Sequence, residues 1–244
     1  MPARRFQPPL WASLGTLVLG GAFVGLGNWQ LDRSEQKDVL FERFDTGSAG
    51  APAPAPTDGA ALATQRYAVI MASGGYDVAH QVLLDARTRD GRAGYEVLTP
   101  LVGDGTALLV NRGWIPANPD RRKLPDLAVG DAPRQVTGLL DALPRAALRA
   151  GPSDTRPDLP WPRVMLYPTA ADLAQALGYP VRDYQLLLDP VGADGFDRRW
   201  RPALLTPVEH IGYAVQWFAL AGLVVVLYVV LNWRRVSHSA YHHE

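Results

Sequence analysis

The sequence contains no cysteine, which excludes disulfide bonds, thiolate metal sites and cysteine nucleophiles. It also has no excess of charge of either sign, because 24 Lys and Arg residues balance 24 Asp and Glu residues. We therefore expect no nucleic-acid partner, since such proteins carry a basic patch. The sequence motifs of serine hydrolases, phosphate-binding loops and zinc proteases are missing as well. These absences predict that the protein is not an enzyme.

Two segments near the ends of the chain lack charge altogether. Residues 10–31 and 210–233 contain no Asp, Glu, Lys or Arg. A helix of either length exceeds the roughly 30 Å of a bilayer's hydrocarbon core. The first segment is longer than the apolar part of a signal peptide, and no small-residue cleavage site ends it. We therefore predict two retained transmembrane helices. Gly21 and Gly25 offer a small-residue face for helix packing, although ordinary membrane composition explains them equally well.

Basic residues flank both segments and predict their orientation. Arg4 and Arg5 precede the first segment, and Arg234 and Arg235 follow the second. Positive flanks stay on the cytoplasmic side. We therefore expect residues 1–9 and 234–244 in the cytoplasm and the central region in the periplasm. The short N-terminus lacks the Arg- and Ser-rich pattern of a mitochondrial leader, which favours the inner membrane of a bacterium.

The region between the two segments predicts an α+β fold. Residues 32–46 contain no Gly or Pro and predict a helical extension of the first segment, whereas the Ala- and Pro-rich residues 47–64 predict a flexible linker. Residues 65–209 predict a small, mostly antiparallel β-rich domain with one or two helices. Its strands are expected at 67–71, 81–85, 95–100, 106–111, 135–140 and 184–188, with a hairpin turn at 103–105.

One segment of this domain has the residues that typically begin and end a helix. Thr169 is a good N-cap with Asp172 three residues later, and Gly178 and Pro180 end the predicted helix. The proline-rich residues 151–168 are expected to be irregular.

Four motifs follow one another along the chain. They read Gly-Asn-Trp-Gln-Leu-Asp-Arg at 27–33, Gly-Tyr-Glu-Val-Leu-Thr-Pro at 94–100, Val-Asn-Arg-Gly-Trp-Ile-Pro at 110–116, and His-Ile-Gly-Tyr-Ala-Val-Gln-Trp-Phe at 210–218. In this order, with the first and last on terminal apolar segments, they resemble the Surfeit-locus family of cytochrome c oxidase assembly proteins.

The resemblance covers most of the chain and implies a function. Members of that family assist the biogenesis of haem-copper cytochrome oxidase, and several bacterial members are thought to bind haem a. It therefore implies the catalytic subunit of the oxidase, haem a or its synthase, and membrane lipid as partners.

His210 is the candidate haem ligand, because it is expected at the periplasmic end of the second helix and a neutral imidazole can bind haem iron axially. His210, Tyr213 and Trp217 lie at i, i+3 and i+7, and this spacing predicts a shared helix face with Gln216 close by. Trp29 and Arg33 are one turn apart, and we expect both to point toward the second helix, with Arg33 available to a haem propionate. The alternative for His210 is a hydrogen bond to backbone or to a lipid headgroup.

Other candidates have weaker support. The basic cluster at 198–201 suits either haem propionates or lipid phosphates, and Arg112 and Trp114 suit either packing or ligand contact. His238, His242 and His243 form a tail group with a weak metal signal, and His80 is expected to be structural or exposed.

Three functions remain open from the sequence. The first is haem-handling oxidase assembly, with haem a held between the two spans. The second is a haem-independent assembly scaffold, and the third is a membrane-tethered module that binds a periplasmic ligand.

Overall fold

The structure is a computed structural model that describes residues 4–145, 156, 159–202 and 206–235. The chain divides into two compact units. Met1–Phe41 with Ala203–Glu244 forms one, and Glu42–Pro202 forms the other. The tail histidines His238, His242 and His243 lie outside the described residues.

Four α-helices and ten strands lie within the described ranges, together with a short 3-10 helix at Gly59–Ala61. In chain order they are β1 (Arg4–Phe6), α1 (Leu10–Ser48), β2 (Ala53–Pro54), α2 (Leu62–Gln65), β3 (Val69–Tyr76), β4 (Val82–Arg89), β5 (Arg92–Gly103), β6 (Thr106–Pro116), β7 (Arg134–Ala142), β8 (Arg163–Met165), α3 (Ala170–Leu177), β9 (Val181–Leu188), α4 (Pro207–Asn232) and β10 (Trp233–Arg235).

The first unit is a pair of long apolar helices, α1 and α4. Both are long and apolar enough to cross a membrane, and only 6% of the most apolar stretch of each is buried. A core helix of a soluble domain would bury most of that stretch. Beside the helices, β1 pairs antiparallel with β10, with Arg4 opposite Arg235 and Phe6 opposite Trp233. The two ends of the described chain therefore lie together.

The start of α4 is specified by local chemistry. Pro207 occupies the first helical turn, where its missing N–H costs no hydrogen bond. The hydroxyl and N–H of Thr206 donate to the carboxylate of Glu209 at 2.8 and 2.6 Å. This bonding satisfies polar groups at the helix end that directly precedes His210.

The second unit is built around a closed five-stranded barrel. The strands pair in the ring β3–β7–β9–β6–β5, and Gly75 and Tyr76 of β3 close it against Val102 and Leu101 of β5. All pairings in the ring are antiparallel except β6 with β9. Alternating residues of all five strands form one apolar cluster, which fills the interior of the barrel.

A second apolar layer covers the outer face of the sheet. Leu173 of α3 is fully buried in a cluster with Val82, Leu98 and Leu109. The sequence prediction for α3 is confirmed: the hydroxyl of Thr169 accepts the N–H of Asp172, and Gly178 ends the helix in the left-handed conformation. These contacts fix α3 over the strands.

Tight turns connect the central strands as the sequence predicts. Asp104 and Gly105 join β5 to β6 with φ values of 49° and 73°. Positive φ at both positions is typical of the two-residue turn that matches the twist of a hairpin, and the predicted hairpin is confirmed.

The structure differs from the sequence prediction for part of residues 151–168, of which 151–155 and 157–158 lie outside the described residues. Arg163–Met165 forms β8, a short parallel edge strand on β4, so the expectation of irregular structure is wrong there. The three residues follow Pro162, and because none of them is a proline each has a backbone N–H; that of Arg163 donates to Gln81 O at 3.1 Å. A proline cannot donate a backbone hydrogen bond to a neighbouring strand, but a short segment between prolines can still form one.

Part of the predicted linker contacts the barrel. Ala53 and Pro54 form β2 along β3, and the carbonyl of Pro56 accepts hydrogen bonds from Tyr184 and Arg182. Ala and Pro composition does not encode these tertiary contacts. The mobility of residues 47–64 stays a prediction.

Candidate functional site

The two apolar helices pack antiparallel along one face, which we call the helix seam. Its residues on α1 are 13, 16, 20, 23, 27, 30 and 34, and those on α4 are 207, 210, 214, 217, 221, 224 and 228, all buried or half-buried. Both sets alternate steps of three and four, as in coiled coils. This spacing keeps one face of each helix against the other along the helix seam.

Polar contacts mark both ends of the helix seam. The hydroxyls of Ser13 and Tyr228 lie 2.6 Å apart near one end. Near the other end, the hydroxyl of Ser34 donates to the carbonyl of Pro207 at 3.1 Å. These bonds connect the two helices at both ends of the helix seam.

His210 lies in the helix seam one turn into α4. It is 7% exposed, and its Nδ1 is 2.7 Å from Oε1 of Gln30 on α1. An amide oxygen only accepts, so Nδ1 is the donor in this contact, and in the neutral imidazole the lone pair then lies on Nε2. This is the arrangement of a metal-binding imidazole, in which the second ring nitrogen is held by a hydrogen bond.

Close packing fills the middle of the helix seam. A Cβ added to Gly27 would lie 2.5 Å from the ring of Phe218, and Phe23 packs on Trp217 with ring centres 5.6 Å apart. A macrocycle therefore does not fit between the helices as they pack here. The donor chemistry of His210 fits a haem only in that its imidazole could supply one nitrogen to the iron.

The structure does not bring all predicted site residues together. Trp217 shares the seam with His210. Tyr213 is 45% exposed and flanks the seam, and Gln216 is exposed. A helix turns about 100° per residue, so the inward face runs through positions 210, 214 and 217 and excludes Gln216.

Trp29 and Arg33 lie on a different face from the one we expected. Trp29 is 47% exposed, Arg33 is exposed, and the guanidinium of Arg33 lies 5.5 Å from the Trp29 ring. Arg33 also donates to Gln36 at 2.9 Å. The expectation that both point toward the second helix is wrong, because Trp29 is rotated roughly 160° from Gly27.

The glycines of α1 differ in their contacts with α4. Gly21 and Gly25 have open space around them, whereas Gly27 packs against Phe218. Sequence reasoning missed Gln30 as a site residue. The spacing of positions 23, 27, 30 and 34 is the signal that could have found it.

The third motif has a structural role in the barrel. The guanidinium of Arg112 donates to Asp194 O at 2.6 Å and to Gln81 Oε1 and Leu127 O at 3.0 Å each. The indole of Trp114 donates to Arg87 O at 3.1 Å. Of the two alternatives left by the sequence, these contacts favour packing for both residues.

The basic cluster at 198–201 lines a cleft of about 550 Å³ together with Phe44. Arg198 donates to the carbonyls of Asp189 and Gly192 at 2.6 and 2.7 Å. Arg199 binds Asp197, and this bond lowers the pKa of Asp197 to about 2. Part of the cluster is thus engaged within its own domain.

His80 is tied to neighbouring loops. Its Nδ1 lies 2.7 Å from Oδ2 of Asp77, and the hydroxyl of Tyr179 donates to the same oxygen at 2.7 Å. Burial raises the pKa of Asp77, but these bonds outweigh it and the pKa falls below its usual value. In the described part of the chain, no three His, Asp or Glu side chains form a metal-binding group.

Comparison with known proteins finds a matching family and several relatives of this chain. The model of the SURF1 family matches residues 17–222. A "SURF1-like protein" from Monosiga brevicollis is 28% identical, over 91% of this chain and 87% of that protein. A "SURF1-like protein" from Drosophila melanogaster is 24% identical, over 87% and 74% respectively. The "Cytochrome oxidase assembly protein SHY1" of Saccharomyces cerevisiae is 26% identical, over 67% of this chain and 43% of that protein.

Proposed function

Because the chain belongs to the SURF1 family, we propose that it assists the assembly of cytochrome oxidase and binds haem a, as cargo, through His210. The name of the yeast relative supports the assembly role. One observation carries the haem part. His210 is the one histidine of the described helix pair, and its Nδ1 is held by Gln30, which leaves Nε2 of a neutral imidazole for iron.

The proposal includes a membrane location and an orientation. The protein acts in a bacterial inner membrane, with α1 and α4 as its spans, both termini in the cytoplasm and the β-rich domain in the periplasm. The pairing of β1 with β10 supports the orientation, because it holds the N-terminus of α1 next to the C-terminus of α4. Both chain ends then lie on the same side of the membrane. Arg5 beside α1 and the basic residues after α4 favour the cytoplasmic side for those ends.

The partners follow from that placement. The catalytic subunit of the oxidase is the acceptor of haem a, and haem a or its synthase is the source. The exposed apolar faces of both helices meet lipid. Haem a supplies the iron that His210 binds, while the chain supplies the imidazole and its orientation.

A haem-independent scaffold is the second candidate function. The close contact between Gly27 and Phe218 favours it, since no macrocycle fits between the packed helices. In that case the β-rich domain would hold oxidase subunits during assembly.

The test of the proposal uses the full chain purified in detergent from cells that make haem a. We expect an absorption spectrum of bound haem that is lost in His210→Ala and kept in His80→Ala, whose imidazole is paired with Asp77. In parallel, cells without the protein should lose oxidase activity, and His210→Ala should not restore it.

The outcomes separate the candidates. A His210→Ala protein that keeps the haem spectrum refutes the haem role. Full oxidase activity with His210→Ala and no haem in the wild type supports the scaffold. Normal oxidase activity in cells without the protein refutes both.

A further inference from the structure

Gln30 is the side chain that reaches His210 across the helix seam. Its Oε1 lies 2.7 Å from Nδ1 of His210, and the imidazole is 7% exposed. The two residues belong to different helices, 180 positions apart in the chain. This contact therefore exists only when the helices are paired.

The neighbouring polar groups are engaged elsewhere. The carboxylate of Glu209 accepts from the N–H and hydroxyl of Thr206, and the hydroxyl of Ser34 donates to Pro207 O. The group bonded to Nδ1 is thus an uncharged amide and not a carboxylate. Between apolar helices a neutral acceptor avoids burying an unpaired charge.

We propose that Gln30 is a positioning residue that holds neutral His210 in the Nδ1–H tautomer, so that Nε2 is the atom that binds the iron of haem a. The proposal deepens, and rests on, haem binding by His210. The partner of one ring nitrogen decides which nitrogen carries the lone pair. Without the amide oxygen, the proton moves between both nitrogens and the ring turns more freely.

An amide also sets the strength of the iron bond. A carboxylate at this position would draw the Nδ1 proton more strongly and make the imidazole a stronger donor. A neutral amide orients the ring without that effect. A moderate iron bond suits a protein that must release its cargo.

The experiment compares four full-length variants purified in detergent and stripped of haem. They are Gln30→Leu, Gln30→Glu, His210→Ala and, as a matched seam control, Ser34→Ala, which removes the bond to Pro207. Each is titrated with haem a, and the spectrum and midpoint potential of the bound haem are recorded. Helix pairing is followed in each by thermal unfolding.

The expected pattern is specific. Gln30→Leu should bind haem a about 10- to 100-fold more weakly, the usual loss when the hydrogen-bond partner of a metal ligand is removed. Gln30→Glu should keep or tighten binding and lower the midpoint potential, because a stronger donor favours the ferric iron. Ser34→Ala should keep the wild-type affinity and potential.

The results that would overturn the inference are distinct from those that overturn haem binding. If His210→Ala binds haem a like the wild type, the proposed function itself fails. If His210→Ala loses haem while both Gln30 variants keep the wild-type affinity and potential, only the role of Gln30 is refuted. If Gln30→Leu does not fold, the potential of Gln30→Glu decides: an unchanged value contradicts the role.

Discussion

Replacement of Arg112 by Met tests whether the third motif holds the barrel together. Arg112 lies within β6 and is 2% exposed. Its guanidinium donates to Gln81, Leu127 and Asp194 at 2.6 to 3.0 Å and to Ala128 O at 3.4 Å. These acceptors come from three separate segments of chain, so one side chain connects all of them.

The magnitude of the effect follows from these bonds. Three short hydrogen bonds from a charged donor contribute about 5 to 9 kcal/mol at about 1.5 to 3 kcal/mol each. Removing the guanidinium from water costs several kcal/mol of that. Arg112→Met also leaves the acceptors without a donor, so we expect a net loss of about 3 to 5 kcal/mol. A domain with about 5 to 15 kcal/mol of total stability would be close to unfolding.

Denaturant unfolding of the detergent-purified chain, followed by tryptophan fluorescence, measures this loss. The matched control is Arg122→Met, because Arg122 is 93% exposed and pairs only with the nearby Asp120 among the described contacts. Unfolding of both variants at the same denaturant concentration would refute the structural role. A stable Arg112→Met protein that no longer supports oxidase assembly would instead assign the residue to ligand contact.

Two further predictions concern the helix seam and the salt bridges of the barrel. Gly27→Ala should separate the paired helices and destabilise them by about 1 to 3 kcal/mol, the usual cost of overpacking, since its methyl group would lie 2.5 Å from the Phe218 ring. Cysteines engineered at the ends of the helix seam in this cysteine-free chain should then cross-link more slowly; unchanged cross-linking contradicts the packing. The second prediction concerns pH. The pKa of Asp197 lies at about 2, below its ordinary 3.8, mainly because Arg199 binds it, so its stabilising effect is full above pH 4 and is lost as the pH falls toward 2. The unfolding free energies of wild type and Asp197→Asn should therefore differ most above pH 4 and converge near pH 2, and added salt should reduce the difference. A constant gap across this range would show that the carboxylate is not the cause.

Local chemistry in the sequence determined where helices and turns lie. The absence of charge from residues 10–31 and 210–233 predicts α1 and α4, because only a helix satisfies every backbone polar group within one apolar segment. Thr169, Asp172 and Gly178 predict the ends of α3, and Asp104 with Gly105 predicts a hairpin. Each of these signals acts within a few residues along the chain.

Tertiary structure decided which of these elements meet. Closure of the barrel depends on β3 reaching β5 at Tyr76 and Leu101, and nothing in either strand encodes its neighbour. The same holds for the helices. Their spacing shows that each has an inward face, but it does not show that Gln30 lies against His210 and Gly27 against Phe218, because these contacts depend on how the two helices pack. The spacing of inward-facing residues is a property of one helix, whereas the contact between two helices depends on the shape of both surfaces.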